Sequence, residues 1–233
     1  AILFLAGADG TPGPGNPVCP VATAVPAGTQ VAGTGRGKAF RIQSDVPVVA
    51  YQMSPYGGGS AAITGASLLL PTSAWDDNYL AVHAYDSGPH PTSLDIVARA
   101  DDTIVTLLPT ANIAGGGGLP PGAALDDYSV TLGAGEYLQI TQPTELTGSV
   151  VSSNKPVGFL AGARCSYVPA GIYACDHLEQ IIPPVGALVH HYAAVSHRPR
   201  SGEPSLWRMV GIVDGTTLTY SADIGGPTSL DRG

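Results

Sequence analysis

Residues 42–54 read IQSDVPVVAYQMS and residues 151–162 read VSSNKPVGFLAG. Each stretch is followed by an apolar run closed by proline, LLLP at 68–71 and IIPP at 181–184. A tyrosine-centred stretch comes next, NYLAVHAY at 78–85 and HHYAAVSH at 190–197. Both series end in a hairpin-like pattern, SLDIVARADDTIVTLLP at 93–109 and SLWRMVGIVDGTTLTYS at 205–221. The offset is 109 residues from Pro47 to Pro156 and 113 residues from Asp102 to Gly215. An ordered series of matches at a nearly constant offset reads as a tandem of one β-unit. A chain that spends its distinctive residues on a repeated scaffold is a poor host for the asymmetric constellation of an active site.

Composition supports strands over helices. The chain of 233 residues holds 31 glycines and 21 prolines, residues that helix interiors reject and that many short strands with turns tolerate. Ten Lys and Arg stand against eighteen Asp and Glu, and the only lysines are Lys38 and Lys155. With no basic stripe, nucleic acid and anionic membranes are poor partners. No apolar run approaches the roughly 18 residues of a membrane span. The three cysteines, Cys19, Cys165 and Cys175, lack CxxC spacing, which argues against zinc and thioredoxin-like chemistry. Gly33 to Lys38 glances at a phosphate loop but fails, because Ala39 stands where Ser or Thr is needed and a β-pattern follows.

Alternation and turn residues predict strands at 38–44, 47–54, 66–70, 78–85, 93–100 and 103–108, then a hairpin over 128–142. The second series gives 148–153, 156–163, 178–182, 188–196, 205–213 and 216–221, with residues 176–182 open to a helical turn or a strand. Asp101-Asp102 and Asp214-Gly215 read as the tight turns of two hairpins. The expected organisation is a partial β/loop region at 1–37, a first β-repeat at 38–147 and a second at 148–233. The second repeat lacks a closing hairpin, and the chain starts without Met, so a segment of a larger parent chain is expected. The fold class is all-β, two related antiparallel units, with sandwich-like and propeller-blade-like arrangements both open.

The second series carries a sharper signature. The strand KPVGFLAG is followed by Cys165-Ser-Tyr-Val-Pro169, then Cys175-Asp-His-Leu-Glu-Gln180, then two prolines at 183–184. This resembles the N-terminal domain family of IgGFc-binding proteins. SDVPVVAYQMSP and ASLLLPTSAW in the first series resemble the same family, and the resemblance covers residues 38–221. It implies an extracellular location, a repeated β-architecture and a binding, adhesive or structural role without catalysis or a cofactor. The Ala/Gly-rich, Lys-poor composition resembles that of bacterial secreted members, for which Fc binding itself does not carry over.

A secreted chain would oxidise Cys165 and Cys175, closing a short loop worth about 2–3 kcal/mol in the entropy model. Cys19 has no partner legible in the sequence. Asp176, His177 and Glu179 follow Cys175 closely and are the candidate metal ligands, against a reading as turn cap and backbone hydrogen-bond partners. His190 and His191 are adjacent, so a regular strand turns them to opposite faces. The pairs Asp76-Asp77, Asp101-Asp102 and Asp126-Asp127 read as turn residues, since no calcium-loop pattern surrounds them. Tyr51, Tyr79, Tyr192 and Tyr220 fall on expected strands as core edges or cross-strand partners. Tyr56, Tyr167 and Tyr173 fall in Gly/Pro-rich loops, where tyrosines stack on sugars or anchor protein contacts, against a reading in which they pack down on their own loops.

The leading functional expectation is a secreted or cell-surface structural or adhesive module, acting through contacts with other subunits or a parent chain, including a homo-oligomer or filament. The alternative is an extracellular domain that binds a glycan or protein ligand in the tyrosine-bearing loops.

Overall fold

The computed structural model describes residues 24–25, 30–54, 65–83, 90–168, 170–171, 175–196 and 205–233. Cys19, Tyr56 and Tyr173 lie outside the described residues. The described residues form strands and two single-turn 3₁₀ segments, with no α-helix. The strands are β1 (Gly35–Lys38), β2 (Tyr51–Ser54), β3 (Gly65–Leu68), β4 (Asp76–Leu80), β5 (Thr92–Ala98) and β6 (Thr103–Leu108). They continue as β7 (Tyr128–Leu132), β8 (Glu136–Gln142), β9 (Val150–Ser166), β10 (Asp176–Ile181), β11 (Thr216–Thr217) and β12 (Ser229–Leu230). All strand pairs are antiparallel. The fold is all-β, as the sequence leads one to expect.

Eight strands make one sheet curled into a half-barrel around β9. β9 is a single strand of 17 residues, where the sequence suggested two. Its first half pairs with β6 from Ser153 back to Val150, and its second half pairs with β5 from Val157 to Ala163. Pro156 stands in the gap between the two ladders, so its missing N–H removes no hydrogen bond. The carbonyls of Ser149 and Val157 point to the β4 side, and that of Phe159 points to the segment after β10. Strand carbonyls alternate in direction, so β4 and β10 share one edge of β9 while β5 and β6 share the other.

The expected hairpins at 93–108 and 128–142 are corners. β5 and β6 run on past one another along β9, and β8 and β7 follow them along the far edge. The corner residues are tied together. The N–H of Gly135 donates to the Ala98 carbonyl at 2.8 Å. Asn154 Nδ2 donates to the Asp102 carbonyl at 3.2 Å, and the Ile104 N–H donates to Asn154 Oδ1 at 2.8 Å. Asp102, at φ 53°, and Gly135, at φ 73°, take the left-handed backbone that such bends require. Asp101-Asp102 is a turn pair as read from the sequence, whereas Asp76-Asp77 opens β4.

The concave face holds the core. Leu94, Ile96, Val105, Leu107, Leu138, Ile140, Val157 and Phe159 are fully buried, on every second residue of their strands. Tyr79 meets Phe159 edge-on, with ring centroids 5.6 Å apart.

Local geometry recurs at the sequence offsets. Tyr51 opposes Leu68 and Met53 opposes Ala66, just as Leu160 opposes Ile181 and Gly162 opposes Glu179. The hydroxyl of Ser44 donates to the Val46 carbonyl and that of Ser153 to the Lys155 carbonyl, each at 2.7 Å. A 3₁₀ turn follows Pro71 and another follows Pro184. Tyr79 Oη accepts from the Asp76 N–H at 3.0 Å and Tyr192 Oη from the Val189 N–H at 3.2 Å. Thr103 Oγ1 donates to the Ala100 carbonyl and Thr216 Oγ1 to the Val213 carbonyl.

The recurrence stops at strand pairing. The expected strands at 188–196 and 205–213 do not form among the described residues, nor does one at 38–44. β11 pairs only with β12, and an isolated bridge joins Gly211 to Arg232.

Candidate interaction surface

Where pairing stops, apolar side chains are left in solvent. Of nineteen large hydrophobic residues exposed among the described residues, fifteen lie in two stretches, Phe40 to Met53 and Val189 to Val213. Val49 is 74% exposed and Tyr192 is 73% exposed. Tyr79, which makes the same local hydrogen bond as Tyr192, is 1% exposed because β9 covers it. Tyr51 and Tyr192 are therefore surface residues and not core edges, and Tyr51 is a cross-strand partner of Leu68. The sequence signal for this surface was present as strand pattern. What it lacked was any sign that the pairing partner would be missing.

The first stretch is anchored by its continuation. β2 pairs with β3, and the Ala50 carbonyl accepts from the Leu69 N–H at 2.9 Å. β3 in turn lies against β10, where the Ile181 N–H donates to Ser67 Oγ at 3.1 Å. The second stretch is held by Arg208, which forks onto both carboxylate oxygens of Glu145 and also donates to the His83 carbonyl at 3.2 Å.

The disulfide loop sits at the end of β9. Cys165 and Cys175 are bonded, with Cα atoms 5.1 Å apart, and Cys165 is buried. Tyr167 follows directly, half-buried and engaged by its neighbours. On β10, His177 and Glu179 share one side of the strand, with Nε2 and Oε2 3.6 Å apart. Gln52 Nε2 donates to the same Glu179 oxygen at 2.7 Å, which ties β2 to β10. Glu179 Oε1 is buried without a partner in the protein. Asp176 opposes Ser166, and the ladder is irregular between Asp176 and Leu178. Among the described residues no three His, Cys, Asp or Glu side chains converge as a metal site would require. Glu179, with His177 beside it, makes a polar contact between β10 and β2 through Gln52.

Burial shifts several titratable groups, His83 and Asp95 among them. His83 is buried, its Nδ1 against Thr92 Oγ1 and its Nε2 without a partner in the protein. Burial lowers its pKa to about 4. Asp95 on β5 is closely surrounded between Gln139 and Leu160, and burial pushes its carboxyl up to about 7.

The family of the IgGFc binding protein matches residues 65–233. The chain belongs to this family. The matched span contains β3 to β12, the disulfide and the second exposed stretch, while the first stretch precedes it. No curated protein and no solved structure matches the chain. The family is of extracellular type, and the Cys165–Cys175 bridge agrees with that. No helix among the described residues is long and apolar enough to cross a membrane.

Proposed function

We propose that this chain is a secreted or cell-surface structural or adhesive β-module that works through contacts with other proteins and not by catalysis. The observation that carries the reading is the set of large apolar side chains exposed at 40–53, 189–195 and 206–213 beside a well-packed core. Monomeric proteins rarely leave contiguous apolar surface of this kind uncovered, and protein contacts are its usual use. The family description points in the same direction, since it names binding to protein.

The test uses beads coated with the chain and presented to protein-coated and glycan-coated surfaces. The reading predicts adhesion to one or more protein surfaces, lost when Val49 or Tyr192 is replaced by lysine. Adhesion confined to glycans, or adhesion untouched by both lysine substitutions, would overturn it.

A further inference from the structure

The two exposed stretches correspond to the two sides of an interface that the chain already contains. In the clasp that is filled, β9 is held by β4 on one edge and by β5 and β6 on the other. At the offset of 109 residues, β9 corresponds to 41–57, of which 41–54 are described. At 113, β4 corresponds to 189–193, and β5 and β6 correspond to 205–211 and 216–221. Within the described residues no strand lies in the second clasp, and 42–50 enters no clasp.

On the segment that corresponds to β5 and β6, no described strand lies on the side where β9 lies in the first clasp. In β6 the Ile104 N–H faces β9, through Asn154, so Val105 faces β7. Leu218 corresponds to Val105, and its N–H donates to the Thr228 carbonyl at 2.9 Å. Gly211 corresponds to Ala98. Its carbonyl accepts from the Gly233 N–H at 3.0 Å, as that of Ala98 accepts from Gly135. Residues 228–233 therefore occupy the edge held by β7 and the Gly135 corner, and among the described residues no strand pairs with the opposite edge.

The incoming segment is already shaped. Ser44 makes the same turn bond as Ser153, and β2 holds the same register on β3 as β9 does on β10. Asp45 stands where Asn154 receives the Ile104 N–H, so its carboxylate is placed to receive the N–H of Thr217.

We propose that residues 42–54 of one copy of this chain enter the open clasp formed by 189–193 and 205–219 of a second copy, head to tail. This rests on the protein-contact reading above and names the partner as the chain itself. The two surfaces differ, so the contact is heterologous and repeats into a ring or an open series. The expected register follows from the first half. Val49 opposes Val210, as Gly158 opposes Val97, and Tyr192 Oη meets the Val48 carbonyl, as Tyr79 Oη meets that of Val157.

The test is cross-linking in chains carrying Cys19→Ser. One chain carries Val49→Cys and the other Val210→Cys, with Cα atoms opposite one another at a spacing that suits a disulfide. Mixed and oxidised, they are expected to give a disulfide heterodimer, while each alone stays monomeric on a denaturing gel. Adding Tyr192→Lys to the Val210→Cys chain is expected to reduce the heterodimer at least tenfold. Circular dichroism of every variant checks that the fold persists. Folded chains with no heterodimer overturn the proposal, as does a Val49→Cys homodimer of equal yield. Adhesion of such non-cross-linking chains to another protein would leave the broader reading standing.

Discussion

Tyr79 and Tyr192 form a matched pair of probes for the claim that one local structure is covered in one half of the chain and open in the other. Tyr79 is 1% exposed, and its hydroxyl donates to the Val157 carbonyl at 2.6 Å while accepting from the Asp76 N–H at 3.0 Å. Tyr79→Phe keeps the ring and its edge contact with Phe159 but leaves both groups without that oxygen. A buried group left unsatisfied costs about 1–3 kcal/mol. The Val157 carbonyl lies in the core and bears the full cost, and the Asp76 N–H, nearer solvent, bears less. The expected loss is about 2–3 kcal/mol. Tyr192→Phe removes the equivalent bond to Val189, but its ring is 73% exposed and water can take the hydroxyl's place. Its cost in the separated chain is expected to stay within about 0.5 kcal/mol. Urea unfolding of each variant, at a dilution where copies are apart, measures both values. Equal costs at the two tyrosines, or a Tyr79 cost below about 0.5 kcal/mol, would refute the reasoning.

Three further outcomes follow from named groups. His83, lowered to about 4 by burial, is neutral in the fold. The unfolded chain takes up the proton first, so stability present above pH 6.5 falls by up to about 3 kcal/mol as pH drops to about 4, and acid unfolding of His83→Gln should lose that slope. Asp95, pushed up to about 7, is protonated in the fold, so its contribution is present at low pH and lost as pH rises from about 4 to about 7. Asp95→Asn should therefore be the more stable chain at pH 8, by an amount on the order of 3–4 kcal/mol, and near-neutral at pH 4; a variant no more stable at pH 8 contradicts the shift. Replacing Cys165 and Cys175 together by serine should cost about 2–3 kcal/mol in urea, with the β5 to β9 core intact by circular dichroism.

Element type and much of the order of the fold were legible in the sequence. Alternation located β5, β6, β7 and β8 to within a residue or two, because each buries every second side chain against one core. Topology was less legible. Asp101-Asp102 and Gly133-Ala134-Gly135 carry the residues of tight turns, and such residues serve a corner as well as a hairpin, since both need left-handed backbone. Pro156 suggested a break between two strands. The break is in the partner ladders, and the strand itself runs on. The segments 188–196 and 205–213 have the composition of strands, yet among the described residues they form no strand and only Gly211 bridges, to Arg232, because a strand needs a neighbour and local pattern does not say which segment supplies it. The same limit hid the interaction surface. Tyr51, Val49 and Tyr192 carry core-like patterns, and only the position of β9 shows that their counterparts are covered while they are not. The disulfide was legible through the family signature, and the contact of Gln52 with Glu179, far apart in sequence, was not.

The most direct test of the account is the native mass of the chain by light scattering across a concentration series, with Val49→Lys and Tyr192→Lys measured beside it. The account predicts that the mass of the unaltered chain climbs in multiples of the monomer as concentration rises, while either lysine variant stays monomeric and folded. An unaltered chain that remains monomeric throughout, or lysine variants that assemble as it does, would contradict it.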